Sequence, residues 1–156
     1  MTNAQASTVM IAGLTAILLA FVSFNTHSYE IEDLEYLTEC IYFEARSEST
    51  EGQYAVAHVV MNRVADRRWG NTVKKVVTQR LQFSYRNGKT ADDIIVGKNK
   101  KAWRKAELIA HNVLSGLHKD NTGGADHYLR IEHSTDLSWY KKLIHTKKIG
   151  HHDFYK

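Results

Sequence analysis

The sequence predicts a mostly helical α+β domain whose small antiparallel sheet forms late in the chain, behind an N-terminal apolar segment. Three observations predict it. Apolar residues recur at three- and four-residue steps between Leu34 and Leu117, the period of helices buried on one face. After Asn121 that period stops, and Gly-rich loops separate short runs, His127–Arg130 and Ile149–Tyr155, that read as strands. Between Thr8 and Phe24 there is no charged residue.

That uncharged stretch lies at the short edge of a transmembrane helix, which needs roughly 17–25 residues. The preceding MTNAQAS has no Lys or Arg, and the following VSFNTHSYE has no Ala-x-Ala, so an uncleaved signal-anchor fits better than a cleaved signal peptide. Neither flank carries the positive charge that would set an orientation. Residues 1–28 are read as signal-anchor and linker, and 29–156 as one folded domain. About 125 residues are enough to bury a core without staples. The single cysteine, Cys40, excludes an intramolecular disulfide. A net charge of +4 suits an anionic polymer or surface as partner and equally a merely soluble exterior.

The first helix is expected over Ile31–Arg46, with Leu34, Leu37 and Ile41 inward and Glu32, Asp33 and Glu35 favourable against the helix dipole. Thr50 and Gln53 match a capping box that starts a second helix, with Val56, Val59, Val60 and Val64 on one face. A short third helix is expected from Asn71 or Thr72 through Gln79, with Val73, Val76 and Val77 inward. Residues 81–89 read as an extended piece running into an Asn87-Gly88 turn. A fourth helix spans about 99–117, buried through Trp103, Ala106, Ala110, Val113 and Leu117.

Continuing the first helix's apolar stripe by three and then four residues lands on Glu44 and Glu48. A carboxyl placed where the pattern calls for an apolar group loses hydration, and its pKa rises. That is what a general acid needs, and glycosidic bonds break by protonation of the leaving oxygen. The alternative is a structural carboxylate paired with Arg46 or Arg63. Glu48 reads either as a substrate contact at a cleft entrance or as a solvated turn residue. The nine histidines do not form a His-Glu-x-x-His pattern, so no metal and no cofactor is expected. Tyr128, Trp139, Phe154 and Tyr155 offer rings to sugars, although most such residues are core. The run Lys98–Lys105 reads as a solvated helix face, and no nucleic-acid partner is expected.

The segment CIYFEARSESTEGQYAVAHVVMNRV resembles the signature of the SleB-type cell-wall hydrolases, the spore cortex-lytic enzymes and their relatives. The matching positions are Tyr42, Glu44, Ala45, Arg46, Glu48, Glu51–Gln53, Ala55–Ala57 and Asn62–Val64. Three further blocks follow in order: Val76, Val77 and Gln79 with Gln82–Ser84; Thr122–Ala125 with His127 and Tyr128; and Ile149–His152 with Phe154 and Tyr155. Ser47 stands where the family usually has Gly, and Ser49 where Pro is common.

The resemblance implies a lysozyme-like fold and cleavage of peptidoglycan between N-acetylmuramic acid and N-acetylglucosamine. It implies lytic transglycosylation, in which one glutamate protonates the glycosidic oxygen and then helps the sugar's own 6-hydroxyl close a 1,6-anhydro ring. Glu44 matches that glutamate, with Glu48 the fallback. Glu48, Gln82, Ser84, His127, Tyr128 and His152 are the implied substrate contacts. A second carboxylate across the cleft (Glu48, Glu51, Asp126 or Asp136) would permit hydrolysis instead. The rival readings are an N-acetylmuramoyl-L-alanine amidase and a non-catalytic wall-binding module. The wall substrate places the domain outside the cytoplasm, held at the membrane through residues 8–24.

Overall fold

The computed structural model describes residues 29–88, 99–130 and 138–156. The expected signal-anchor over residues 8–24 and the candidate carboxylate Asp136 lie outside them. None of the described helices is long and apolar enough to cross a membrane.

Helix α1 (Ile31–Ala45) buries Leu37 and Ile41 of the stripe its spacing predicts, leaves Leu34 half-buried, also buries Cys40, and opens with Glu32 and Asp33 in the first turn. Helix α2 (Thr50–Asp66) begins one residue earlier than the capping box implies. Ser49 is the N-cap, its Oγ accepting from the Gly52 amide at 3.2 Å. Gln53 does not complete a box; its side-chain amide donates to the Glu48 carbonyl at 3.0 Å. Ser47 lies outside the positive-φ region, so the replacement of Gly there carries no backbone strain. Helix α3 (Val73–Thr78) starts from Thr72, whose side chain caps the Lys75 amide.

The predicted extended piece is instead a 3-10 turn over Ser84–Arg86, pinned by the Phe83 side chain in the core and by the Arg86–Glu39 ion pair. Helix α4 (Lys100–Leu114) packs against α1. It ends a turn sooner than the apolar period suggests, because Gly116 adopts φ +70° and the Leu117 amide folds back onto the Asn112 carbonyl. Leu117, expected inside, is therefore 73% exposed.

The sheet has three antiparallel strands in the order β1 (His127–Leu129), β3 (His152–Tyr155), β2 (His145–Ile149). The single strand expected over residues 149–155 is in fact a hairpin, broken at Gly150 with φ +59°. Tyr128 lies opposite Phe154, and His152 sits two residues from Phe154 on the same side of β3. Phe154 packs with Ala55 and Val59 of α2, joining the sheet to the helical body. The segment leading into β1 is held by α2 as well: Asn62 donates to the Ala125 carbonyl at 2.8 Å and Arg63 to the Asp126 carbonyl at 2.6 Å.

Candidate active site

The last turn of α1 carries Glu44 to the junction between the helices and the sheet. Its carboxyl is half-buried, and Oε2 accepts a hydrogen bond from the Tyr128 hydroxyl at 3.0 Å. Burial pushes this carboxyl above the ordinary carboxylate range. The Tyr128 bond and the Arg63 charge pull it down without cancelling that push.

Neither arginine weighed from the sequence locks Glu44. Arg46 turns back to the Tyr42 carbonyl and ring. Arg63 is buried, donates to the Asp126 carbonyl, and lies against the rings of Trp69 and Phe83 at 5.3 and 5.6 Å. Glu44 thus has a hydroxyl partner and a distant cation, which leaves it free to hold and release a proton.

Tyr128 is placed by its strand. Its ring packs edge-on against His152 at 5.2 Å and tilts against Phe154 at 6.0 Å. Burial raises the Tyr128 hydroxyl and lowers the His152 imidazole, so both stay neutral near pH 7. Tyr128→Phe removes a bond that favours the carboxylate. The expected result is an alkaline limb of the pH–rate profile displaced to higher pH; an unmoved limb disproves the coupling.

The remaining implied contacts scatter. Glu48 is buried, not a solvated turn residue. Its side chain is 2% exposed and is taken up by the hairpin, accepting from the His151 amide at 3.2 Å and lying 3.1 Å from His151 Nδ1. Burial alone would raise its pKa, but the His151 hydrogen bonds and the nearby imidazoles of His152 and His151 outweigh burial and hold it low. Gln82 is half-buried and Ser84 exposed, and among the described residues no hydrogen bond joins either to Glu44. His127 pairs with Asp126 at 2.5 Å and lies between the rings of Trp69 and Trp139. Of the four aromatic residues offered to sugars, Phe154 and Tyr155 are core, Tyr128 is engaged with Glu44, and Trp139 is 40% exposed.

Arg63 is the residue that the sequence reading undervalued. It continues the Val56, Val59, Val60 stripe of α2 by three residues, as Glu44 continues that of α1, so the same interruption of an apolar face would have found it. Among the described residues no group of three or more His, Cys, Asp or Glu side chains is arranged to hold a metal ion.

The family described as Cell Wall Hydrolase matches residues 47–155, starting just after Glu44. The chain belongs to the cell wall hydrolase family.

Its relatives include the spore cortex-lytic enzyme of Bacillus cereus, 32% identical over 83% of this chain and 46% of the relative. That of Halalkalibacterium halodurans is 32% identical over 81% of this chain and 35% of the relative. This cell wall hydrolase thus spans less than half the length of the curated relatives it matches. Among solved structures, the catalytic domain of the germination-specific lytic transglycosylase SleB from Bacillus anthracis has a TM-score of 0.65 and 33% identity, covering 83% of this chain and 98% of that one. The SleB catalytic domain of Bacillus cereus has a TM-score of 0.64 and 30% identity, covering 83% and 93%. The mostly helical α+β architecture with a three-stranded sheet is therefore that of the SleB catalytic domain.

Proposed function

We propose that this hydrolase cleaves the glycan strand of peptidoglycan between N-acetylmuramic acid and N-acetylglucosamine, by lytic transglycosylation with Glu44 as acid and then base. The observation that carries the reading is a half-buried carboxyl, raised by desolvation, hydrogen-bonded to a tyrosine and without an ion pair among the described residues. A protonated Glu44 delivers its proton to the glycosidic oxygen as the bond to the anomeric carbon breaks. The carboxylate so formed is stabilised by the Tyr128 hydroxyl and the Arg63 charge, the two influences that favour it in the free protein. It then accepts the proton of the sugar's 6-hydroxyl as that oxygen bonds to the anomeric carbon, restoring the acid. Trp139 offers an exposed ring for a sugar face.

Transglycosylation needs no second carboxylate, and two of the three described candidates are committed elsewhere. Glu48 holds the hairpin, Asp126 pairs with Arg68 and His127, and Glu51 is exposed on the first turn of α2. The fold would then serve as a lysozyme-like frame that presents one helix-borne glutamate. Mass spectrometry of digested sacculi tests the reading. Anhydro-muropeptides are expected; reducing muropeptides would replace transglycosylation by hydrolysis, and free stem peptides would point to amidase cleavage.

The uncharged stretch over residues 8–24 supports export with retention at the membrane, the catalytic domain facing the wall. Recovery of the full chain only in the cytosolic fraction would disprove this placement.

A further inference from the structure

We propose that Glu48 is a positioning residue for Glu44, acting through the β2–β3 hairpin and Tyr128. The proposal rests on the reading of Glu44 as the acid, and it gives Glu48 a role other than touching substrate.

The hairpin turn closes over the Glu48 carboxylate from several sides. Oε2 accepts from the His151 amide at 3.2 Å, and Oε1 and Oε2 lie 3.1 and 3.2 Å from His151 Nδ1. His152 Nδ1 lies 3.8 Å from Oε1 and has no hydrogen-bond partner among the described residues. The turn residue Gly150 has φ +59°, and a Cβ there would collide with Glu48 Oε2. Only glycine allows the backbone to approach the carboxylate this closely. Gly52 lies on the other flank, where a Cβ would come within 3.0 Å of the Glu48 Cβ.

A buried carboxylate is an unfavourable way merely to fasten a hairpin, since its desolvation must first be offset by hydrogen bonds. An apolar side chain would adhere at lower cost. What the carboxylate adds is direction: hydrogen bonds fix the turn in angle as well as distance. The direction matters because His152, the residue after this clamp, opens β3. Its ring meets Tyr128 edge-on at 5.2 Å, and the Tyr128 hydroxyl lies 3.0 Å from Glu44 Oε2. The contacts thus form a closed circuit. It leaves α1 at Glu44, passes through Tyr128 and His152 to the hairpin, and returns at Glu48, four residues further along the chain. The other groups acting electrostatically on this circuit include Arg63 on α2, Arg130 and Asp153 beside His152, and the Cys40 thiol one turn before Glu44; burial raises that thiol well above its ordinary value, so it stays neutral.

The test uses the full chain on solubilised glycan strands, with Glu48→Gln, Glu48→Leu and Gly150→Ala. A loosened Tyr128 misplaces the acid, so kcat is expected to fall about 10- to 100-fold. KM is expected to stay within about threefold, because no substrate contact has been removed. The alkaline limb of kcat should move to higher pH as the Tyr128 bond weakens, a change that a purely structural role would not produce. Glu48→Gln keeps a carbonyl acceptor for the His151 amide and should be the mildest. Gly150→Ala, which displaces the carboxylate without altering it, should resemble Glu48→Leu. Should Glu48→Leu fail to fold, the other two variants read the same quantities. A folded Glu48→Gln and Gly150→Ala with parental kcat and an unmoved limb, while Glu44→Gln is inactive, overturn this proposal alone. Parental turnover in Glu44→Gln overturns the acid assignment, and this proposal with it.

Discussion

Glu44→Gln is expected to leave a folded protein that binds sacculi yet turns over about 10²- to 10⁴-fold more slowly, the range a positioned general acid contributes. Gln matches the volume of Glu and still accepts from Tyr128, so the change removes the titratable proton and little else. Release of muropeptides and sedimentation with sacculi, measured on one preparation, separate catalysis from binding. Retained release would refute the assignment, and a wall-binding module would show no loss at all.

The same variant carries a stability signature with a definite sign. Glu44 is raised in the folded state, whereas the unfolded chain ionises in the ordinary carboxylate range. The folded state therefore binds the proton more tightly. The stability linked to it is fully present below the ordinary range and is lost as pH rises through the raised value. Gln does not titrate. Glu44→Gln should melt above the parent at neutral pH, and that advantage should narrow as the pH falls into the ordinary carboxylate range. Equal melting shifts at both pH values would contradict the raised pKa.

Phe154→Ala is the second large effect. The ring is fully buried among Ala55, Val59 and Ala125 and lies opposite Tyr128 in the sheet. Truncating a buried Phe costs about 3–5 kcal/mol through lost burial and the cavity left behind. Domains of this kind have only about 5–15 kcal/mol in total. Because this residue joins the sheet to α2, activity should fall with the denaturation midpoint, as Tyr128 loses its station beside Glu44. A loss below about 1 kcal/mol in urea titration would show that the sheet is held by other contacts.

Much of this was legible along the chain. Leu34, Leu37 and Ile41 set α1, and the valines of α2 and α3 set theirs, because a helix face is written locally at three- and four-residue steps. Glu44 stood out by breaking that pattern, and Arg63 breaks it in the same way on α2. The departures have two causes, a glycine turn or a partner far along the chain. Leu117 kept the period of α4, but the left-handed Gly116 ended the helix first. Ile149–Tyr155 looked like one strand because a two-residue period does not reveal a turn at Gly150. Glu48 read as a cleft contact or a solvated turn residue, and its burial was hidden because its partners, His151 and His152, lie in the last hairpin of the chain.

By itself the sequence determined the helices, the family and the carboxyl that breaks the apolar stripe of α1, since each is carried by local spacing or by ordered blocks of residues. Only the tertiary structure decided what surrounds each carboxyl. It brought Tyr128 to Glu44 and closed the hairpin on Glu48. The ionisation of a buried acid is set by the neighbours that replace its water, and those neighbours come from strands far away in the chain.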